Sequence, residues 1–337
     1  MANINLKRQL FHKVVIESGG ITSRAVHPYD SKLHETQFRE LAAEVGCETS
    51  EDSALLSCLR AASFEQITEG QANVFAKYNP SLRWAWQPVI DNDIISRRPL
   101  DAWLSGDWNK VPVMTGSNHN EGTMYVPKNM SKSEEFTDFF GTLLPQLSKK
   151  ELATLDGLYP DPSEDPTSPY VETRAVPLGP QYKRVEAAYG HYAYVCPVRQ
   201  TAHYGSASAA DPPVFLYHWA QNRSVIAGAN HGDQIWYETM EPDVRAVSPT
   251  QAELAGWFHG YVSSFIISGD PNAVKGRHGS RPEWAPFSEG GKTMLFGSGN
   301  DEPAGGTSKG VKAQFIEDNW AKEECNFWWE QSTNPED

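Results

Sequence analysis

The sequence predicts an α/β fold built on a mostly parallel sheet flanked by helices. Two patterns predict it: short runs that are apolar on both faces rather than alternating, and longer segments with helical periodicity between them. The runs are Lys13-Val14-Val15-Ile16, Val111-Pro112-Val113-Met114-Thr115 and Val214-Phe215-Leu216-Tyr217. A strand covered by helices on both faces has no solvent side, so its residues do not alternate. Of the helices, Phe38, Leu41, Ala42 and Val45 recur on one face, and Gly46 then supplies a stop. Ser148-Lys149-Lys150-Glu151 is a capping box ahead of Leu152 and Leu155. The clearest helix opens at Ser248-Pro249, carries Leu254, Trp257, Phe258, Tyr261, Val262, Phe265 and Ile266, and stops at Gly269-Asp270-Pro271. The first run lies almost at the start of the chain and wants sheet neighbours on both edges. Only two more parallel-type runs follow it, so the first strands of such a sheet are expected to be missing.

Charge and apolar content narrow the function. Twenty-nine basic residues against 43 acidic ones give a formal charge of −14, which repels phosphate backbones and anionic lipid. Nucleic acid is therefore not an expected partner. No apolar run approaches the roughly 20 residues of a membrane span. Residues 1–8 show no basic leader followed by an apolar stretch, so no signal peptide is legible there. The four cysteines include no C-x-x-C pair. Cys47 and Cys58 bracket a short polar loop, and spacing alone leaves both a disulfide and two reduced thiols open. Asn129-Met130-Ser131 and Asn222-Arg223-Ser224 are candidate glycosylation sequons.

No internal repeat or long linker divides the chain, and the Pro-rich stretch at 160–166 reads as a surface loop, so residues 1–337 are treated as one unit. Two glycine-rich turns follow strands, where catalytic groups of open α/β sheets collect. Thr115-Gly116-Ser117-Asn118-His119-Asn120-Glu121-Gly122 offers a carboxylate able to orient a histidine. Gly228-Ala229-Asn230-His231-Gly232-Asp233 offers a histidine able to reach a cleft as general base. Taken singly, each has a plainer reading: an acidic turn residue, and an exposed or backbone-satisfied histidine. His191, Cys196 and His203 sit at spacings of five and seven, which do not stack on one helical face, so no metal site is expected.

In this order the stretches resemble the type-B carboxylesterases, the cholinesterase-like branch of the α/β-hydrolases. The resemblance covers nearly the whole chain. Leu10 to Gly20 is similar to the helix end and strand that follow the family's nucleophile region, and Trp86-Gln87-Pro88-Val89-Ile90-Asp91-Asn92-Asp93 to its P-V-x-D-G segment. Val113 to Gly122 resembles the G-x-N-x-x-E-G acid loop, and Ala229 to Gly232 the histidine loop. The helix ending in Gly269-Asp270-Pro271-Asn272 and the following Glu283-Trp284-Ala285-Pro286-Phe287 match late family segments. The resemblance implies disulfides Cys47–Cys58 and Cys196–Cys325, and makes Glu121 the acid and His231 the base of a catalytic triad. It also implies a small-molecule ester substrate, no cofactor and an extracellular location.

The nucleophile is what departs from the pattern. The family's G-E-S-A-G elbow does not occur in the 337 residues, and the one G-x-S-x-G match, Gly306-Thr307-Ser308-Lys309-Gly310, comes after His231 rather than before Glu121, so the strained turn that holds a catalytic serine out of the sheet is missing from its place. Ser18, in Ile16-Glu17-Ser18-Gly19-Gly20, keeps the order Ser, Glu, His, but Ile16 stands where the turn needs glycine and no apolar helical stripe follows. The comparison puts Ser18 on the strand after the elbow, as a supporting residue near the site. The expectation is the C-terminal portion of one carboxylesterase domain, carrying Glu121 and His231 and inactive as written. The alternative is a non-catalytic cholinesterase-like binding or adhesion protein. Past His231, Gln234 and the run Trp236-Tyr237-Glu238 also differ from the family, which expects a carboxylate and then an aromatic-glycine pair.

Overall fold

In the computed structural model, residues 10–23, 26–173, 176–208 and 210–333 are described, which leaves the stretch read for a leader outside them. Five strands form one sheet in the order β1-β2-β3-β4-β5. They are β1 (Val14–Glu17), β2 (Val113–Asn118), β3 (Val214–Trp219), β4 (Lys292–Phe296) and β5 (Ala313–Glu317). The first four run parallel and β5 is antiparallel to β4. β4 and β5 correct the sequence reading, which found only three parallel strands. Thr293-Met294-Leu295-Phe296 lies between glycine turns and is too short to stand out, and β5 is only half-buried, so neither carries the long apolar signal of β2 or β3.

The three expected runs became strands that end one to three residues further along the chain. All six residues of both β2 and β3 are buried, as a strand covered on two faces requires. Their side chains divide by parity. Val113, Val214 and Leu216 pack with Val198 and Ala202 on one face. Met114, Phe215 and Tyr217 pack on the other against Leu254, Phe258, Tyr261 and Phe265 of the helix Pro249–Ser268. That helix and Lys32–Val45 start at serine caps and end at Gly269 and Gly46, both left-handed. The capping box at Ser148 is made.

A third cluster joins the helices Ser133–Leu143, Lys149–Leu158 and Tyr182–Gly190 to Lys322–Thr333. The Cys196–Cys325 disulfide pins that last helix across 129 residues of sequence, and Cys47–Cys58 closes a satellite cluster across 11. Among the described residues β1 pairs with β2 alone, and it is half-buried while its neighbours are buried. If loop closure governs, removing Cys196–Cys325 costs roughly 4–5 kcal/mol and removing Cys47–Cys58 roughly 2–3 kcal/mol. Denaturant midpoints of the two double Cys→Ala variants are expected to fall in that order.

Candidate active site

The sheet delivers three side chains to its C-terminal edge. β1 ends at Glu17 and passes directly into Ser18; β2 ends at Asn118 and turns through Glu121; the loop after β3 carries His231. Glu121 is 1% exposed and is satisfied from three directions. Its Oε1 accepts from the Ser18 hydroxyl at 2.6 Å and from the Asn118 backbone N–H at 2.6 Å. Its Oε2 meets His231 Nδ1 at 2.6 Å. A carboxylate fixed on both oxygens in a dry site holds the ring in one tautomer, with Nδ1 protonated and Nε2 left to exchange a proton with a reactant. The structure thus brings Glu121 and His231, which the sequence reading singled out, into direct contact.

The two loops carrying this pair are zipped to each other. The Asn120 N–H donates to the Ala229 carbonyl at 2.9 Å, and the Ala229 N–H returns a bond to Asn120 Oδ1 at 3.1 Å. Asn118 Nδ2 donates to Gln234 Oε1 at 2.8 Å, and Thr123 Oγ1 donates to Asn230 Oδ1. Gln234, the departure from the family's carboxylate, therefore serves as an acceptor between the loops. Gly122 is required for a different reason: a Cβ there would collide with the Glu186 carbonyl on the helix Tyr182–Gly190. That close approach seats the acid turn on the helix beneath it.

Ser18 is 8% exposed with φ of 50°, a left-handed conformation that costs a non-glycine residue roughly 1–3 kcal/mol. Its N–H donates to the Gly116 carbonyl at 2.8 Å and its hydroxyl proton goes to Glu121. A nucleophile must hand that proton to the imidazole instead.

Sequence reasoning missed the rings around the base. Tyr194 lies 4.6 Å from the His231 ring and Tyr125 5.5 Å, centroid to centroid. Tyr194 is carried by a π-helical turn, His191–Val195, between the helices Tyr182–Gly190 and Cys196–Gly205. Nothing in the residue pattern marks such a turn, so no sequence signal pointed to Tyr194. His191 meets the Tyr159 hydroxyl at 2.9 Å, and His203 meets Asp318 at 3.0 Å. Cys196 is in its disulfide, so the three residues weighed as ligands are dispersed. Among the described residues no group of three His, Cys, Asp or Glu is placed to hold a metal, and no helix is long and apolar enough to cross a membrane. Trp236 is exposed under the Arg223 guanidinium, while Tyr237 is buried and donates to Gln251 at 2.6 Å.

A parallel sheet flanked by helices, with a carboxylate–imidazole pair on loops at its C-terminal edge, is the architecture of an α/β-hydrolase. Residues 2–328 match the carboxylesterase family, and the chain belongs to that family. It is 33% identical to secreted lipase 4 of Gibberella zeae over 83% of this chain and 49% of that protein. It is 24% identical to lipase 1 of Geotrichum candidum over 86% of this chain and 49% of that one. The crystal structure of Aspergillus niger EstA superposes with a TM-score of 0.75 at 20% identity, covering 97% of this chain and 60% of EstA. The chain thus spans about half the length of the curated relatives it matches.

Two expectations follow from the buried groups. Glu121→Ala strands the donors of Ser18 and Asn118, and is expected to destabilise by roughly 2 kcal/mol or more; Ser18→Ala, which removes one donor, costs about 1 kcal/mol. Urea midpoints check both. Second, burial holds His191 down to about 3 and His218 well below the ordinary imidazole range, with neighbouring histidines, and for His191 also Arg199, adding to the effect. A folded-state value below the unfolded one gives stability that is fully present above about 6.5 and lost progressively as pH falls from there toward the folded-state value. Thermal midpoints are expected to fall on the acid side, and less steeply in His218→Gln.

Proposed function

We propose that residues 1–337 form the acid–base half of a serine carboxylesterase domain, the C-terminal portion of a single type-B domain whose nucleophile lies on another segment. His231 Nε2 takes the proton of that serine as its Oγ attacks the ester carbonyl carbon, and Glu121 stabilises the imidazolium. The imidazolium gives its proton to the leaving alcohol, and a water repeats the sequence to release the acid and free the serine. The observation that carries the reading is the 2.6 Å contact between a buried Glu121 and His231 on two loops at strand ends. Retention of this pair, with its supporting Ser18, favours a hydrolase over a binding protein.

The segment with the serine would pair along the open edge of β1. Supporting this, β1 has one partner among the described residues, and the relatives extend to about twice the matched length. Small-molecule carboxylic esters are the substrate class. The two disulfides, together with relatives named as secreted, support an extracellular protein. Of the sequons, Asn129 is exposed and Asn222 half-buried, which makes Asn129 the more accessible acceptor.

A fluorophosphonate probe is expected to leave the purified 337-residue chain unlabelled. Placed after the elbow-bearing segment of the Gibberella zeae relative, the same chain is expected to be labelled on the elbow serine. In that fusion His231→Ala should cut ester turnover by roughly a million-fold, the scale seen for subtilisin. Labelling of Ser18, or turnover that survives His231→Ala, would overturn the reading.

A further inference from the structure

Two acidic side chains meet beside the site. Glu17, the last residue of β1, lies beside Gly116 in the sheet register, and Gly116 lies beside Tyr217 on β3. Any side chain at 116 would collide with the Tyr217 ring, so glycine there clears a path across the middle strand. Through it the Tyr217 hydroxyl reaches two strands over and donates to Glu17 Oε1 at 2.6 Å. Glu238 ends the short helix Ile235–Glu238, seven residues after His231, and its half-buried carboxyl hydrogen-bonds the Glu17 carboxyl.

Two ionised carboxylates have only acceptors to offer each other, so such a contact requires a proton on one of them. We propose that Glu17 and Glu238 share one proton and thereby act as positioning residues, a clasp that fastens the histidine-bearing loop to the strand leading into Ser18. With the proton present, Glu238 donates to a Glu17 carboxylate that also accepts from Tyr217. With it gone, two negative charges face each other and the helix Ile235–Glu238 is pushed from the strand.

The surroundings favour the shared-proton state. Burial, and then the neighbouring Glu17 charge, push the Glu238 carboxyl up to about 7. Burial also keeps the Tyr217 phenol neutral and donating, with Glu17, Glu121 and Glu238 adding to the effect. From the helix Pro249–Ser268, His259 Nδ1 lies 2.7 Å from the Glu238 main-chain carbonyl. Because the folded-state value lies above the ordinary 4.5, the clasp contributes fully below that value and is lost as pH rises through about 7.

The consequence for catalysis rests on His231 being the base, whereas the titration needs no catalysis, so the two ideas fail separately. The test is carbon-13 NMR of labelled glutamates in the 337-residue chain, with backbone amides of residues 232–240 followed in parallel. One carboxyl is expected to titrate near 7 and to vanish in Glu238→Gln, and Glu17→Gln should bring the Glu238 midpoint down toward the ordinary range. The loop amides should shift with the same midpoint in the wild type and stay level in Glu238→Gln. A Glu238 midpoint near 4.5 would overturn the proposal, as would loop amides indifferent to the titration or shifts that persist in Glu238→Gln.

Discussion

The Glu121 carboxylate is the constraint on which the arrangement depends. A buried anion is tolerated only when its lone pairs are taken up, and here three different segments supply the donors. Ser18 arrives from β1, the Asn118 N–H from the end of β2, and His231 from the loop after β3. Satisfying one charge therefore fixes the relative position of three consecutive strand ends. The left-handed backbone of Ser18 and the close approach at Gly122 are local strains held in place by that arrangement.

The rest of the chain stabilises this corner at a distance. β2 and β3 are buried on both faces, and the helices covering them are held by serine caps and a long-range disulfide. The loops carrying Glu121 and His231 are zipped to each other by asparagine and glutamine side chains. Aromatic rings complete the wall. Tyr194 and Tyr125 flank the His231 ring, one tilted against it and the other edge-on.

Much of this was legible in the residues. The doubly buried strands announced themselves as unbroken apolar runs, and the helices Lys32–Val45 and Pro249–Ser268 by their stripes and end signals. Glu121 and His231 were legible because each sits in a glycine-rich turn after such a run. Thr293 to Phe296 was not, since a threonine and three apolar residues between glycines fit a strand and a turn equally well. Tyr194 was not, because a π-turn has no residue signature, and the partnership of Glu17, Tyr217 and Glu238 depends on sheet register, which a linear pattern does not carry.

The measurement that tests the account most directly is nitrogen-15 NMR of the histidine side chains in the 337-residue chain near neutral pH. The account predicts that His231 carries its proton on Nδ1, in a strongly downfield, slowly exchanging resonance that Glu121→Gln abolishes. A His231 protonated on Nε2, or an Nδ1 signal unchanged in Glu121→Gln, would contradict it.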